Sequence, residues 1–88
     1  MADESRVANQ ETVSYAVQVK IAVAHAKYGD FASMHEAYGV LAGEVAELFD
    51  EVRKPQRDMF RGHRIRDEAI QVAAVAMRIA EQAGRVMR

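Results

Sequence analysis

The sequence predicts an all-α fold built from three long helices. Only 5 Gly and 1 Pro occur among 88 residues, and so few chain breakers favour long helices over strands. Apolar residues recur at intervals of three and four, the period of a helix that buries one face. Much of the apolar volume comes from 16 Ala and 11 Val, whose small side chains let helices approach closely. We therefore expect a helical bundle that forms one domain over residues 1–88.

The first helix is predicted to run from about Gln10 to Tyr28. Gly29 follows it and can adopt the left-handed conformation that ends many helices. Residues 1–8 precede the first apolar repeat. We expect them to form a disordered amino-terminal tail.

The second helix is predicted to begin at Ser33. Ser33 and Glu36 have the spacing of a capping box, in which the serine hydroxyl bonds forward and the glutamate reaches back. The helix must end before Pro55, because proline cannot continue it. One apolar stripe along this helix is expected to face the core, formed by Tyr38, Leu41, Val45, Leu48 and Val52.

The segment from Pro55 to about Arg64, PQRDMFRGHR, lacks a sustained period and is predicted to be a loop with at most one helical turn. The third helix follows from about Ile65 to Met87. Its apolar residues lie on two nearly opposite sides. One side carries Ile70, Ala73, Ala74, Met77, Ala80 and Gly84, and the other carries Val72, Val75, Ile79 and Val86.

The first helix is two-sided as well, with Val13, Val17, Ile21 and Ala24 on one side and Val19, Val23 and Ala26 on another. A helix that is apolar on two sides must be covered on both. A chain of 88 residues also lies near the lower limit for a self-sufficient core. We therefore expect oligomerisation to complete the bundle, as a homodimer or a tetramer.

Composition excludes several classes of protein. No Cys is present, which rules out a disulfide framework and a thiolate metal site. The formal net charge is −1, so the basic footprint of a general nucleic-acid binder is missing and no nucleic-acid polymer is expected as a partner. The apolar segments are too short for a bilayer, and no signal peptide is recognisable, so we expect a cytoplasmic protein without a membrane partner.

Acidic side chains border the predicted core. Glu44, Glu47 and Glu51 lie in one narrow arc, roughly 90° from the centre of the apolar stripe. Glu68 lies on an apolar side of the third helix, where a carboxylate must be neutralised, paired or bound to a cation. If the second and third helices pack antiparallel, Glu44 and Glu47 face Glu68 and Gln71.

Such a cluster of oxygen atoms suits a hard divalent cation such as Mg²⁺, with Mn²⁺ as an alternative. The candidate metal ligands are Glu44, Glu47, Glu68, Gln71 and Glu51. A bound Mg²⁺ could hold a polyphosphate and lower the pKa of a water molecule, which a neighbouring Glu could position as general base. The basic side chains available to phosphate oxygens are Arg57, Arg61, His63, Arg64 and Arg78.

The order and spacing of these acids resemble a known signature. Glu44-Val-Ala-Glu47, a spacer of residues 48–67 and Glu68-Ala-Ile-Gln71 are similar to the E-x-x-E, spacer, E-x-x-D pattern of MazG-like all-α nucleoside triphosphate pyrophosphohydrolases. The likeness covers residues 26–82 and is nearest to short bacterial and phage members. It implies Mg²⁺-dependent hydrolysis of a nucleoside triphosphate to monophosphate and pyrophosphate, oligomers of helical bundles, and catalytic metal ligands at Glu44, Glu47 and Glu68.

Gln71 departs from the pattern, because the signature has Asp at that position. An amide oxygen can coordinate a cation but supplies no negative charge, so activity can be lost unless Glu51 or Asp67 compensates. The alternative function is a catalytically degenerate bundle that serves as a nucleotide-sensing or protein-interaction module, or as a purely structural helical partner. The acids of the second helix could also form a solvated face paired with Arg, and the Arg/His segment a solvated connection. Base and sugar preference cannot be read from these residues.

Overall fold

The computed structural model describes the backbone of residues 2–55 and 57–86. It contains three helices, α1 (Ala2–Tyr28), α2 (Met34–Arg53) and α3 (Arg61–Val86), and no strand occurs in these ranges. The predicted all-α class with three long helices is confirmed. Along the described helices, no stretch combines the length and the apolar character that a bilayer crossing needs.

Helix α1 begins at Ala2 instead of near Gln10. The segment expected to be a disordered tail therefore forms its first turns, apart from Met1, which lies outside the described residues. Apolar periodicity indicates only the buried part of a helix. Because residues 4–11 are all exposed, the periodicity did not predict this extension. The predicted end is confirmed: Gly29 has φ 68°, and its N–H donates to the His25 carbonyl at 3.1 Å.

Helix α2 begins and ends where local chemistry predicts. The Ser33 hydroxyl accepts from the Glu36 N–H at 3.0 Å, which satisfies one of the free donors of the first turn. The return bond of the capping box, from the Glu36 side chain, is absent among the described contacts. The helix stops at Arg53, two positions before Pro55.

Helix α3 starts at Arg61, so the connection after α2 is shorter than the predicted loop of residues 55–64. The carboxylate of Asp58 accepts from the Phe60 N–H at 3.0 Å, and the Asp58 carbonyl accepts from the Arg61 N–H at 3.1 Å. These bonds organise the entry into the helix, and Gly62 continues it. The predicted end at Met87 lies outside the described residues.

Helix α3 packs against both other helices, while the backbones of α1 and α2 do not approach each other closely within the described ranges. Towards α1 it forms a core cluster of Val17, Ile21, Ile70 and Ala74. Towards α2 and the preceding connection it forms a second cluster of Phe31, Ala37 and Val75, with Leu41 and Ile79 against it. The two apolar sides of α3 therefore serve two different neighbours.

The buried line of α2 differs from the predicted stripe. Tyr38, Val45 and Val52 are 70%, 48% and 44% exposed. The inward positions are Ala37, Leu41, Glu44, Leu48 and Glu51. The stripe and the inward line share Leu41 and Leu48, and the tilt of α2 against α3 decides which flank is covered. That rotation turns Glu44 and Glu51 towards α3, keeps Glu47 exposed, and leaves an apolar flank of α2 uncovered.

Candidate metal centre

Three glutamates from two helices converge at the α2–α3 interface. Glu44 and Glu47 lie one turn apart on α2, and Glu68 lies on α3. One carboxylate oxygen from each lies within 4.8 Å of the other two. We call this set the acidic triad. The helix spacing places the first two acids on one face, and the packing of α3 supplies the third.

Burial and mutual repulsion act on the triad. Burial raises the pKa of Glu44, and the negative charges of Glu47 and Glu68 raise it further. Burial is also the largest cause of the raised pKa of Glu68, followed by the charge of Glu47. One oxygen of Glu68, Oε2, is buried without a hydrogen-bond partner. The triad therefore favours a proton or a cation as a further occupant.

The donor set fits a hard divalent cation. Oxygen ligands at about 2.0–2.1 Å around Mg²⁺ lie roughly 3–4 Å from one another, and the triad oxygens lie within 4.8 Å. The buried Oε2 of Glu68 would gain the partner that it lacks. Three carboxylates leave further positions of an octahedron for water and phosphate oxygens.

Glu51, a predicted ligand, lies outside the acidic triad. Its carboxylate accepts from Lys54 Nζ at 2.7 Å and from Arg64 Nε at 2.9 Å. These hydrogen bonds lower the pKa of Glu51. Asp67 does not replace it, because its side chain is 74% exposed. The charge at the triad comes mainly from its three acids, with Glu51 and Asp67 adding negative charge near Glu68 and Lys20 adding positive charge near Glu44.

Gln71 is half-buried on α3 and lines a cavity that Glu44 also lines. Its amide therefore lies beside the acidic triad, on the side away from Lys54. From this position Gln71 can either coordinate a cation at the triad or contact a molecule bound in the cavity.

Two of the predicted phosphate-binding residues have structural partners instead. Arg61 donates to the Val52 and Lys54 carbonyls at 2.7 Å and 3.2 Å, which closes the carboxyl end of α2. Arg64 bonds to Glu51 and also forms a short ion pair with Asp58. Both guanidinium groups hold the α2–α3 connection together.

The other three predicted phosphate partners differ from one another, and Arg57 is exposed in the α2–α3 connection. His63 is exposed on the first turn of α3. Arg78 is 8% exposed, donates through Nη2 to the Gly29 carbonyl at 3.0 Å and lies over the Phe31 ring at 4.3 Å from its centre. Arg78 is therefore part of the cavity beside Glu44.

Two concave surfaces flank the acidic triad. One, of about 780 Å³, is open and lined by Glu47, Asp50, Glu51, Arg53, Lys54 and Glu68. We call it the basic-edge surface, after Arg53 and Lys54. Neither residue was among the predicted site residues. Lys54 lies seven residues after Glu47, two helical turns further on the same face, and this spacing was the available signal. The second surface, of about 520 Å³, is the cavity lined by Glu44, Gln71 and Arg78.

Comparison with protein-family models, with curated proteins and with solved structures finds no match to this chain.

Proposed function

We propose that the protein is a Mg²⁺-dependent nucleoside triphosphate pyrophosphohydrolase, with Mn²⁺ as a substitute metal. The observation that carries the proposal is the acidic triad, in which Glu44, Glu47 and Glu68 bring three oxygens within 4.8 Å of one another. The order of these acids resembles the MazG-like signature, and an orphaned oxygen of Glu68 favours a cation there. The basic-edge surface beside the triad carries Arg53 and Lys54, which would have to leave their ion pairs with Asp50 and Glu51 to contact the outer phosphates of the substrate.

Each side chain has a chemical role in this proposal. A bound Mg²⁺ would withdraw charge from the attacked phosphorus and lower the pKa of a water molecule. Whichever carboxylate of Glu44, Glu47 and Glu68 the metal leaves free would accept the proton of the attacking water. Water attacks the α-phosphorus, its proton passes to a carboxylate, and the bond to the β-phosphate oxygen breaks. Lys54 and Arg53 lie on the surface that would hold the leaving pyrophosphate.

Pyrophosphate release tests the proposal. The full chain is incubated with a panel of ribo- and deoxyribonucleoside triphosphates, with Mg²⁺, with Mn²⁺ and with EDTA. We expect release that requires the metal and falls at least 100-fold in Glu47→Gln. Glu11→Gln is the matched control, because Glu11 is an exposed acid on α1 away from the triad, and it should retain full activity. Absence of release from every nucleotide contradicts the proposal.

A second candidate is a degenerate bundle that binds nucleotides without turnover. Gln71 favours it, because this residue stands where the resembling signature has Asp and it lowers the negative charge beside the triad. In that case Mg²⁺ and nucleotide raise the melting temperature, no pyrophosphate is released, and Gln71→Asp restores hydrolysis. If neither metal nor nucleotide changes the melting temperature, the remaining function is a purely structural one, as a helical partner of another protein.

A further inference from the structure

The cavity beside Glu44 has an apolar wall and a polar rim. It lies between the end of α1, the connection of residues 29–33, the first turns of α2 and the middle of α3. Its volume of about 520 Å³ is in the range of small-molecule sites, roughly 300–1,000 Å³. Tyr28, Phe31, Val40 and Val75 contribute apolar surface. A ligand of this cavity must therefore be partly apolar.

Arg78 lines the cavity and has a buried hydrogen-bond donor that no contact within the described chain satisfies. The residue is more than nine-tenths buried, at 8% exposure, yet it forms no ion pair with any described carboxylate. Its Nη2 donates to the Gly29 carbonyl, whereas its Nε is buried without a partner. A buried N–H that lacks an acceptor is costly. Because this Nε is itself buried, a ligand in the cavity would supply the missing acceptor by drawing the guanidinium group towards it.

The other polar groups of the cavity restrict which functional groups its ligand can carry. Asp30, Glu36 and Glu44 line it together with Lys20; Asp30 pairs with Arg85 at 2.8 Å, and the positive charge of Lys20 acts on Glu44. These carboxylates repel phosphate but accept hydrogen bonds from N–H groups. Gln71 can donate and accept. A planar heterocycle with acceptors and N–H donors on its edges, and with apolar faces, matches all of these groups.

We infer that this cavity holds the nucleobase of the substrate, with Arg78 and Gln71 on its edge and Tyr28 beside its face; the inference rests on the proposed function. Glu44 belongs both to the cavity and to the acidic triad, so a nucleotide can span the two. Its base then lies on the Arg78 side, and its phosphates cross the triad towards Lys54 on the basic-edge surface.

Nucleoside binding without metal isolates the cavity from the triad. Adenosine, guanosine, cytidine and thymidine are each titrated in EDTA into the full chain. The Nε–H signal of Arg78 is followed by NMR and assigned from the Arg78→Lys variant. We expect a saturable shift of this signal with at least one nucleoside, because the Nε–H gains an acceptor. Tripolyphosphate with Mg²⁺ is titrated in parallel as a probe that has no base.

Two variants test the wall and the rim of the cavity. Tyr28→Ala removes a 68% exposed ring, so folding should be preserved, and Gln71→Leu keeps the size of the side chain but removes the amide. Each should weaken nucleoside binding about tenfold, the usual scale for loss of one stacked aromatic. Tripolyphosphate affinity should change less than twofold in Tyr28→Ala, whereas Gln71→Leu, which also removes a candidate metal ligand, is compared for nucleoside binding in EDTA; the control Glu11→Gln should change neither affinity.

Different experimental results would overturn the base pocket and the proposed function. Nucleosides that give no shift up to about 10 mM overturn the base pocket, even when metal-dependent pyrophosphate release is observed. Equal loss of tripolyphosphate and nucleoside affinity in Tyr28→Ala also overturns it, since the cavity would then bind phosphate. Nucleoside binding without any pyrophosphate release supports the pocket and contradicts the proposed catalysis.

Discussion

Repulsion within the acidic triad should make the metal-free protein less stable than a variant that lacks one of the acids. Glu47→Gln is the sharpest perturbation, because Glu47 raises the pKa of both Glu44 and Glu68. The amide keeps the shape of the side chain and removes one negative charge. We expect the variant to unfold at a higher temperature than the wild type in EDTA.

The magnitude follows from the geometry. Two full charges separated by 4.8 Å repel by about 0.9 kcal/mol even at the dielectric constant of water. Glu47 takes part in two such pairs, and partial protonation of Glu44 and Glu68 reduces the sum. We expect a gain of about 1–2 kcal/mol in the free energy of unfolding. In a domain of this size each kcal/mol raises the melting temperature by roughly 4–8 °C.

The pH dependence has a definite sign. The pKa values of Glu44 and Glu68 are raised on folding, so the folded chain binds more protons than the unfolded chain between the ordinary and raised values. The free energy of unfolding therefore falls as pH rises through that window, and less steeply in Glu47→Gln. Glu51 and Asp58 have lowered pKa values, so their stabilising contribution is lost as pH falls below the ordinary carboxyl range.

Thermal unfolding followed by circular dichroism measures the effect at one fixed protein concentration. Mg²⁺ at 100 times its Kd should stabilise the wild type by about 2.7 kcal/mol, and this gain should shrink in Glu47→Gln. Glu11→Gln serves as the control and should behave as the wild type does in both buffers. The reasoning is refuted if Glu47→Gln is no more stable than this control in EDTA, or if Mg²⁺ stabilises it as much as the wild type.

Three further predictions concern the fold. Ser33→Ala removes the hydroxyl that accepts from the Glu36 N–H and should cost about 1 kcal/mol in thermal unfolding, whereas Ser14→Ala on exposed α1 surface should be nearly neutral; equal effects would contradict the cap. Gly29→Ala strains a φ of 68° and should cost about 1 kcal/mol or more, while Gly84→Ala should cost nothing. Sedimentation should show a species heavier than 9.8 kDa, and Phe49→Glu should dissociate it, because Phe49 is 58% exposed on the uncovered apolar flank of α2; a well-folded wild-type monomer would contradict this.

Local chemistry made the helix ends near the centre of the chain predictable. Gly29 ends α1 and Ser33 starts α2 through bonds that span three or four residues, and Pro55 needs no distant partner to exclude a helix. The start of α3 at Arg61 escaped prediction because it depends on Asp58, whose side chain and carbonyl organise the turn. The early start of α1 escaped because exposed helical turns carry no apolar period.

The candidate site was predictable only in part. Helical spacing places Glu44 and Glu47 on one face, and the apolar side of α3 singled out Glu68. Spacing alone could not separate these acids from Glu51, which lies on the same arc but pairs with Lys54 and Arg64. Partners of that kind come from another helix or from a connection, and their positions depend on how the helices rotate against each other.

The sequence by itself determined the class of the fold, the boundaries around residues 29–33, and the presence of acids beside the core, because each follows from bonds or periods within one helix. Tertiary structure alone decided that α2 turns Glu44 towards α3, that Arg61 closes the end of α2, and that Arg78 is buried beside Phe31. A helix with two apolar sides fits more than one rotation, and only its packing against neighbours selects the one that brings the triad together.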